Sequence, residues 1–274
     1  FPLVQQYRSG GPYGGDFPML YEIEQVGGEH PNPLRRWVEY IGAGTETYID
    51  WHNLIIDPQV VNTAEGQAVA FGSRSGFLDA ANIRYIISMV ALEDPALREV
   101  HRGSALVYEN VNSLPRAYLA PAVAEVPEGG AIAAMTSTEW DPRELAFVSS
   151  ASGLELPATP LDGDAQVIEH TPDRVVVRAS ANRPALLVLA DNFYAGWHAT
   201  VNGQAAAVLP TNHTMRGVLV PAGASEVVFE FEPRNLYLGF YIYLAGLLVL
   251  SGFGAWAVLN RLRARRETAG PDVS

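Results

Sequence analysis

The sequence predicts an α+β outer region followed by an antiparallel β-sandwich and one C-terminal transmembrane helix. Three observations carry this. Residues 236–259, LYLGFYIYLAGLLVLSGFGAWAVL, are an uncharged apolar run closed by Asn260 and by Arg261, Arg263, Arg265 and Arg266. Residues 166–234 break into short stretches of strand character between turn residues. Residues 1–155 mix helical and strand periodicities, as an α+β region does.

The apolar run is the firmest element. At 1.5 Å per residue it reaches about 36 Å, enough to cross a hydrocarbon core of about 30 Å with some tilt. A core helix of a soluble protein is rarely apolar on every face for so long. Tyr237, Tyr241, Tyr243 and Trp256 lie towards its ends, and the arginines follow one end only. By the positive-inside rule residues 260–274 are cytoplasmic and residues 1–235 extracytoplasmic.

Gly10-Gly11-Pro12, Gly14-Gly15 and Gly27-Gly28 make the first thirty residues loop-like around one short strand at 19–24. In HPNPLRRWVEYIG, Asn32 suits a helix N-cap, Pro33 the first helical position and Gly42 the end, with Leu34, Trp37, Val38 and Ile41 on one face. FLDAANIRYIISMV reads as a helical turn entering a strand at 84–90. Strands 97–101 and 105–109 form a hairpin, 117–119 and 144–149 are strands, and GGAIAAMTS is a short helix. The Pro-rich, acidic segment 156–165 is the expected linker.

Seven strands then follow at 166–170, 174–179, 185–190, 197–201, 205–209, 217–220 and 226–232, the spacing of an antiparallel sandwich. Asn202-Gly203 marks a tight hairpin turn, because such turns need positive φ at both central residues.

Net charge is −12 over 274 residues. The tail after Asn260 holds four arginines against Glu267 and Asp272, so the rest of the chain is more acidic still. That acidic balance of the outer part argues against nucleic-acid binding and against docking on anionic lipid, while the apolar run makes membrane lipid an expected partner. All basic residues are arginine and there is no cysteine, which excludes disulfides and thiolate metal sites. No signal-peptide pattern opens the chain, and an outward domain needs an export signal or earlier spans, so the chain is expected to be the C-terminal piece of a longer protein.

GGEHPNPLRRWVEYIG, FLDAANIRYIIS, ALVYENVNSLPRAYLA and LLVLADNFYAGWHATVNGQAAAVLPTNHTMRGVLVPAGASEVVFEFEP, followed by the span, resemble in order the C-terminal half of YfhO-like bacterial membrane proteins. The resemblance runs from about Gly27 to Arg261. It implies a multi-span plasma-membrane protein related to the C-type glycosyltransferases, which take sugar from lipid-phosphate carriers and, in some cases, decorate cell-envelope polymers. The catalytic acid of such enzymes is expected between early spans, so it has no counterpart here. The implied partners are lipid-linked sugar and cell-envelope glycan, and no cofactor is named. A membrane-tethered, non-catalytic sandwich that binds glycan or a partner protein is the alternative.

Two constellations are candidates for binding. In DNFYAGWHATVNG, Tyr194 and Trp197 can stack on a sugar ring while Asp191, Asn192 and His198 bond its hydroxyls; alternatively Trp197 fills the core and Gly196 permits a tight bend. His30, Asn32, Arg35 and Arg36 can hold a lipid phosphate, since a guanidinium grips phosphate through two parallel bonds; alternatively they are a capped helix with solvated arginines. Asp50, His52 and Asp57 match no metal-ligand spacing, and Asn212-His213-Thr214 is a formal glycosylation sequon.

Overall fold

The computed structural model describes residues 3–5, 24, 34–42, 59–63, 66–71, 75–88, 91–137, 140–149 and 154–268. The chain divides into two compact units, Phe1–Phe231 and Glu232–Ser274. The first opens with β1 (Leu3–Gln5), α1 (Arg35–Ile41), β2 (Gln59–Thr63), β3 (Gly66–Ala70), α2 (Ser75–Ala80) and β4 (Tyr85–Ser88). Next come β5 (Leu97–Arg102), β6 (Leu106–Asn110), β7 (Ala117–Ala120), β8 (Val123–Val126), α3 (Ala131–Ser137) and β9 (Ala146–Ser149). The remainder is β10 (Gly163–His170), β11 (Arg174–Ala181), β12 (Ala185–Asn192), β13 (Trp197–Val201), β14 (Gln204–Ala206), β15 (Leu209–Thr211), β16 (Met215–Val220) and β17 (Gly223–Phe231). The second unit is α4 (Arg234–Thr268).

Two large sheets face one another, as expected of a sandwich. A five-stranded sheet runs β10-β11-β17-β13-β14 and a six-stranded sheet runs β7-β12-β16-β15-β9-β8; both are antiparallel except for the parallel pair β8 and β9. Val175, Val177, Ala199, Val227 and Phe229 from the first meet Ala185, Leu187, Leu189, Val218 and Val220 from the second in one apolar cluster. The six-stranded sheet is buried on its other face too. There Leu186, Val188, Tyr118, Phe147 and Met215 join Tyr40 of α1, Phe77 and Leu78 of α2, Ile132 and Met135 of α3, and Ile86 and Tyr108 of a third sheet, ordered β1-β4-β6-β5. Double coverage explains why Ala185–Leu189 is continuously apolar: each residue faces a core whichever way it points.

The layering departs from the expected division. Strands on both sides of 156–165 share the six-stranded sheet, β7 pairing with β12 and β9 with β15. The segment itself is packed, with Leu156 against one core and Leu161 against the other, and Asn182 Nδ2 donates to the Pro160 carbonyl at 3.1 Å. The expected strand at 205–209 is instead split: β14 belongs to the five-stranded sheet and β15 to the six-stranded one. Val208 packs into the cluster between the sheets and Leu209 into the one beyond, so the chain crosses a layer at that point. The hairpin β2–β3 and the strand β1 fall where no strand was expected, while the strand expected at 19–24 lies outside the described residues except for Glu24.

Local turn chemistry follows the expectation at Asn202 and Gly203, with φ of 51° and 76°. Helix α1 begins later than expected, with Leu34 at the N-cap and no side chain capping it; Gly42 ends it in a right-handed conformation, φ −74°. The span is longer than the apolar run: α4 continues unbroken from Arg234 to Thr268, and every side chain from Leu236 to Leu259 is exposed. It is the one described helix long and apolar enough to cross a membrane.

Candidate functional site

The 191–198 segment is built by an irregularity in β12. Leu189 pairs with Arg216 and Asn192 with Met215, so Ala190 and Asp191 are extra residues in that strand. A bulge re-aims a side chain, and here the re-aimed side chain is Asp191. Its Oδ1 accepts from Arg116 Nε at 2.8 Å and its Oδ2 from Arg216 Nη2 at 3.0 Å, with His170 Nε2 3.7 Å from Oδ2. Burial raises a carboxyl's pKa, but the adjacent His170 and the charges of Arg116 and Arg216 outweigh it and hold Asp191 at about 2. Burial in turn lowers the Arg216 guanidinium to about 10.

Arg216 sits in an otherwise apolar strand with its side chain 4% exposed. Its guanidinium carbon lies 3.7 Å from the Trp197 ring centroid, a close cation–π stack, and its buried Nε and Nη1 have no hydrogen-bond acceptor among the described residues. Trp197 therefore has a cation against its ring and Phe231 tilted against it at 5.4 Å. It packs against the core cluster between the sheets, as the core-anchor alternative requires. Tyr194 also leans on Phe231, at 6.2 Å, but stays 51% exposed, which makes it the available aromatic face of this segment. Gly196 has φ 112°, a backbone conformation that side chains rarely adopt, so the tight bend needs glycine. His198 is exposed on β13 opposite Glu230.

The arginine candidates divide. Arg35 is exposed and bonds Glu39 one turn on at 2.6 Å, a solvated helix pair. Arg36 is committed within the fold: Nη1 donates to the His213 carbonyl at 2.9 Å, Nη2 meets Glu128 at 2.9 Å, and the guanidinium lies 5.5 Å from the Phe193 ring centroid. The structure thus joins Arg36 to the 191–198 segment through Phe193, rather than leaving it open as a phosphate fork. His30 and Asn32 lie outside the described residues, as do Asp50, His52 and Asp57. Among the described residues no group of three or more His, Asp or Glu could hold a metal.

Beneath α1 lies the turn Asn212-His213-Thr214. Asn212 is fully buried; it accepts from the Phe147 amide at 2.9 Å and donates to Tyr118 Oη at 3.1 Å. This brace, not glycan attachment, is the role of its side chain. His213 takes φ 71°, strained for a side-chain-bearing residue, and its Nε2 meets Glu39 Oε2 at 2.7 Å. Burial lowers the imidazole pKa against the pull of Glu39.

Sequence reasoning missed Arg116, Arg216, His170, Glu39 and His213 as parts of these clusters. The only local signal is charge where apolar residues are expected, as in Thr214-Met215-Arg216-Gly217-Val218.

Fold and site together define a β-rich globular unit followed by a helix able to cross a membrane. No family model matches the chain, and no curated protein or solved structure shows significant similarity to it.

Proposed function

We propose that the chain is the outward, membrane-tethered part of a YfhO-like bacterial envelope protein, with residues 1–235 extracytoplasmic and the tail after Asn260 cytoplasmic. In this reading it does no bond-breaking itself. It serves sugar transfer from a lipid-phosphate carrier by holding a cell-envelope glycan through the 191–198 segment. The observation that carries the reading is the exposed Tyr194 ring mounted on a corner whose neighbours are fixed by Asp191, Arg116 and Arg216. An aromatic face that need not be ordered on binding is the usual platform for a sugar ring, because its apolar C–H face stacks without losing hydroxyl hydration.

The test uses the full chain in lipid nanodiscs titrated with envelope-polymer fragments. Tyr194→Ala is expected to weaken binding at least tenfold, on the order of 1.4 kcal/mol, while leaving the thermal midpoint unchanged. Equal binding by wild type and variant would refute this site.

A further inference from the structure

The buried turn Asn212-His213-Thr214 joins α1 to the 191–198 segment. On one side Glu39 Oε2 meets His213 Nε2 at 2.7 Å and Arg36 donates to the His213 carbonyl at 2.9 Å, so two bonds from α1 fall on one residue. On the other, the Thr214 carbonyl accepts from the Phe193 amide at 2.5 Å and Thr214 Oγ1 donates to Asn192 Oδ1 at 2.8 Å. Tyr194 is the next residue. The turn itself is pinned by Asn212, whose backbone amide donates to the Phe147 carbonyl at 2.7 Å in addition to the bonds of its side chain. A change at His213 is therefore passed to α1 and to residues 192–193 rather than absorbed by the turn.

His213 sits where a second proton has no partner. Its side chain is 4% exposed, and Nδ1 is buried without a hydrogen-bond partner among the described residues. With Nε2 engaged by Glu39, a neutral imidazole can leave Nδ1 bare, whereas an imidazolium carries an N–H on both nitrogens. A buried donor without an acceptor is costly. Of the charges around the ring, Glu39 favours the cation, Arg36 and Arg35 of the same helix oppose it, and Glu128 is bonded to Arg36; the 192–193 side brings an amide and an apolar ring. Burial outweighs Glu39 and keeps the imidazole below its ordinary value. Glu39 does not titrate with it: burial pushes its carboxyl up, but the bonds to Arg35 and His213 hold it below the ordinary carboxylate value. As pH falls, linkage favours any arrangement in which the ring is hydrated.

We propose that His213 is a proton-operated latch: while neutral it keeps α1 and residues 192–193 docked on the turn, and on gaining a proton it releases both, so that the 191–198 segment holds its ligand at neutral pH and loses it in mild acid. The latch stands on the contacts of the turn, and its consequence for glycan rests on the reading of Tyr194 given above.

Hydrogen exchange of the full chain in nanodiscs, followed from about pH 8 to about pH 5 and corrected for the intrinsic pH dependence of exchange, reads the amides of α1 and of Phe193. Wild type is expected to lose protection at both places in one step, by up to about tenfold per pH unit because one proton is taken up, while β11 keeps its protection. His213→Asn tolerates the left-handed backbone but cannot titrate, and is expected to show no step. Glu39→Gln removes the carboxylate that favours the cation and is expected to move the step to lower pH, which serves as the test if the asparagine variant does not fold. Absence of a step in wild type, a step in α1 that leaves Phe193 protected, an unaltered step in His213→Asn, or a step that Glu39→Gln leaves in place or raises would overturn the proposal. Envelope-polymer fragments titrated over the same range should bind more weakly below the step, by up to about tenfold per pH unit. Constant affinity across a step that exchange does show overturns the release of ligand, whereas absence of binding at every pH refutes the Tyr194 site and leaves the latch standing.

Discussion

Replacing Asp191 by asparagine tests whether the 191–198 corner is held by charge or by shape. The substitution keeps the acceptor oxygen facing Arg116 Nε and removes the negative charge shared with Arg216. The carboxyl is at about 2 in the fold against an ordinary 3.8. At 1.36 kcal/mol per unit that difference corresponds to about 2 kcal/mol favouring the charged form. Asp191→Ala removes both bonds and leaves the charge of Arg216, whose side chain is 4% exposed, against the Trp197 and Phe229 rings with no carboxylate bonded to it among the described residues. Breaking a buried pair by deleting one partner costs about 3–5 kcal/mol, so alanine is expected to destabilise by more than asparagine. Intrinsic fluorescence melting of the full chain in nanodiscs reads both, and the loss should change little with salt, because buried pairs are weakly screened. The pH dependence has a fixed sign. A carboxyl depressed by folding stabilises above its unfolded value of 3.8, and that stability is lost as pH falls through about 2. A midpoint unmoved in both variants would refute the account of this corner.

Other outcomes follow from individual contacts. Gly217→Ala is expected to cost about 1–3 kcal/mol, because a Cβ there meets Thr211 Oγ1 at 2.2 Å and Thr211 is fully buried; wild-type stability in a melting experiment would contradict the packing. Trp197→Ala should cost about 3 kcal/mol through loss of its Arg216 and Phe231 contacts, and an unchanged melting midpoint together with lost glycan binding would make the ring a platform rather than an anchor. His213, whose pKa folding lowers, contributes stability that is present above the ordinary histidine value of 6.5 and is lost as pH falls through the folded value. His213→Gln should flatten that part of the pH–stability curve, and a slope identical to wild type would exclude His213 as its source. External protease on intact cells should spare a tag after Ser274 if the arginines are cytoplasmic, and rapid loss of the tag reverses the topology.

Legibility in the sequence followed the range of the interactions. Asn202-Gly203, the strand at Trp197–Val201 and the long apolar helix rest on local backbone preference or on a single uninterrupted pattern; the turn and the strand fall where they were read, and the helix contains the apolar run and extends past it to Thr268. The apolar run Ala185–Leu189 marked a strand, but its completeness also reported that both faces are covered, which places β12 inside a three-layer stack. The segment 156–165 had a linker's composition yet is packed, because Leu156 and Leu161 each reach a core that composition alone does not register. Arg116 lies 75 residues from Asp191 and Arg216 lies 25 away, so no spacing rule brings the three together; only sheet pairing does.

That dependence on pairing bears on what the charge cluster is for. Stability alone does not call for it, since apolar side chains of similar volume commonly replace a buried ion pair without loss. A charged cluster differs from an apolar one in specifying a single arrangement: Asp191 satisfies Arg116 and Arg216 together only when two extra residues in β12 turn it towards them. Arg216 then fixes Trp197 by stacking, and Trp197 shares Phe231 with Tyr194. The chain of contacts runs from the bulge to the exposed ring, so its expected consequence is orientation. Replacing Asp191 with alanine and Arg216 with methionine together should restore much of the melting temperature lost by Asp191→Ala, because no unpaired charge is left buried. The same double variant should still bind glycan more weakly than wild type, since Trp197 loses its stacking partner and Tyr194 its fixed support. Recovery of both stability and binding would show that the cluster only fills space.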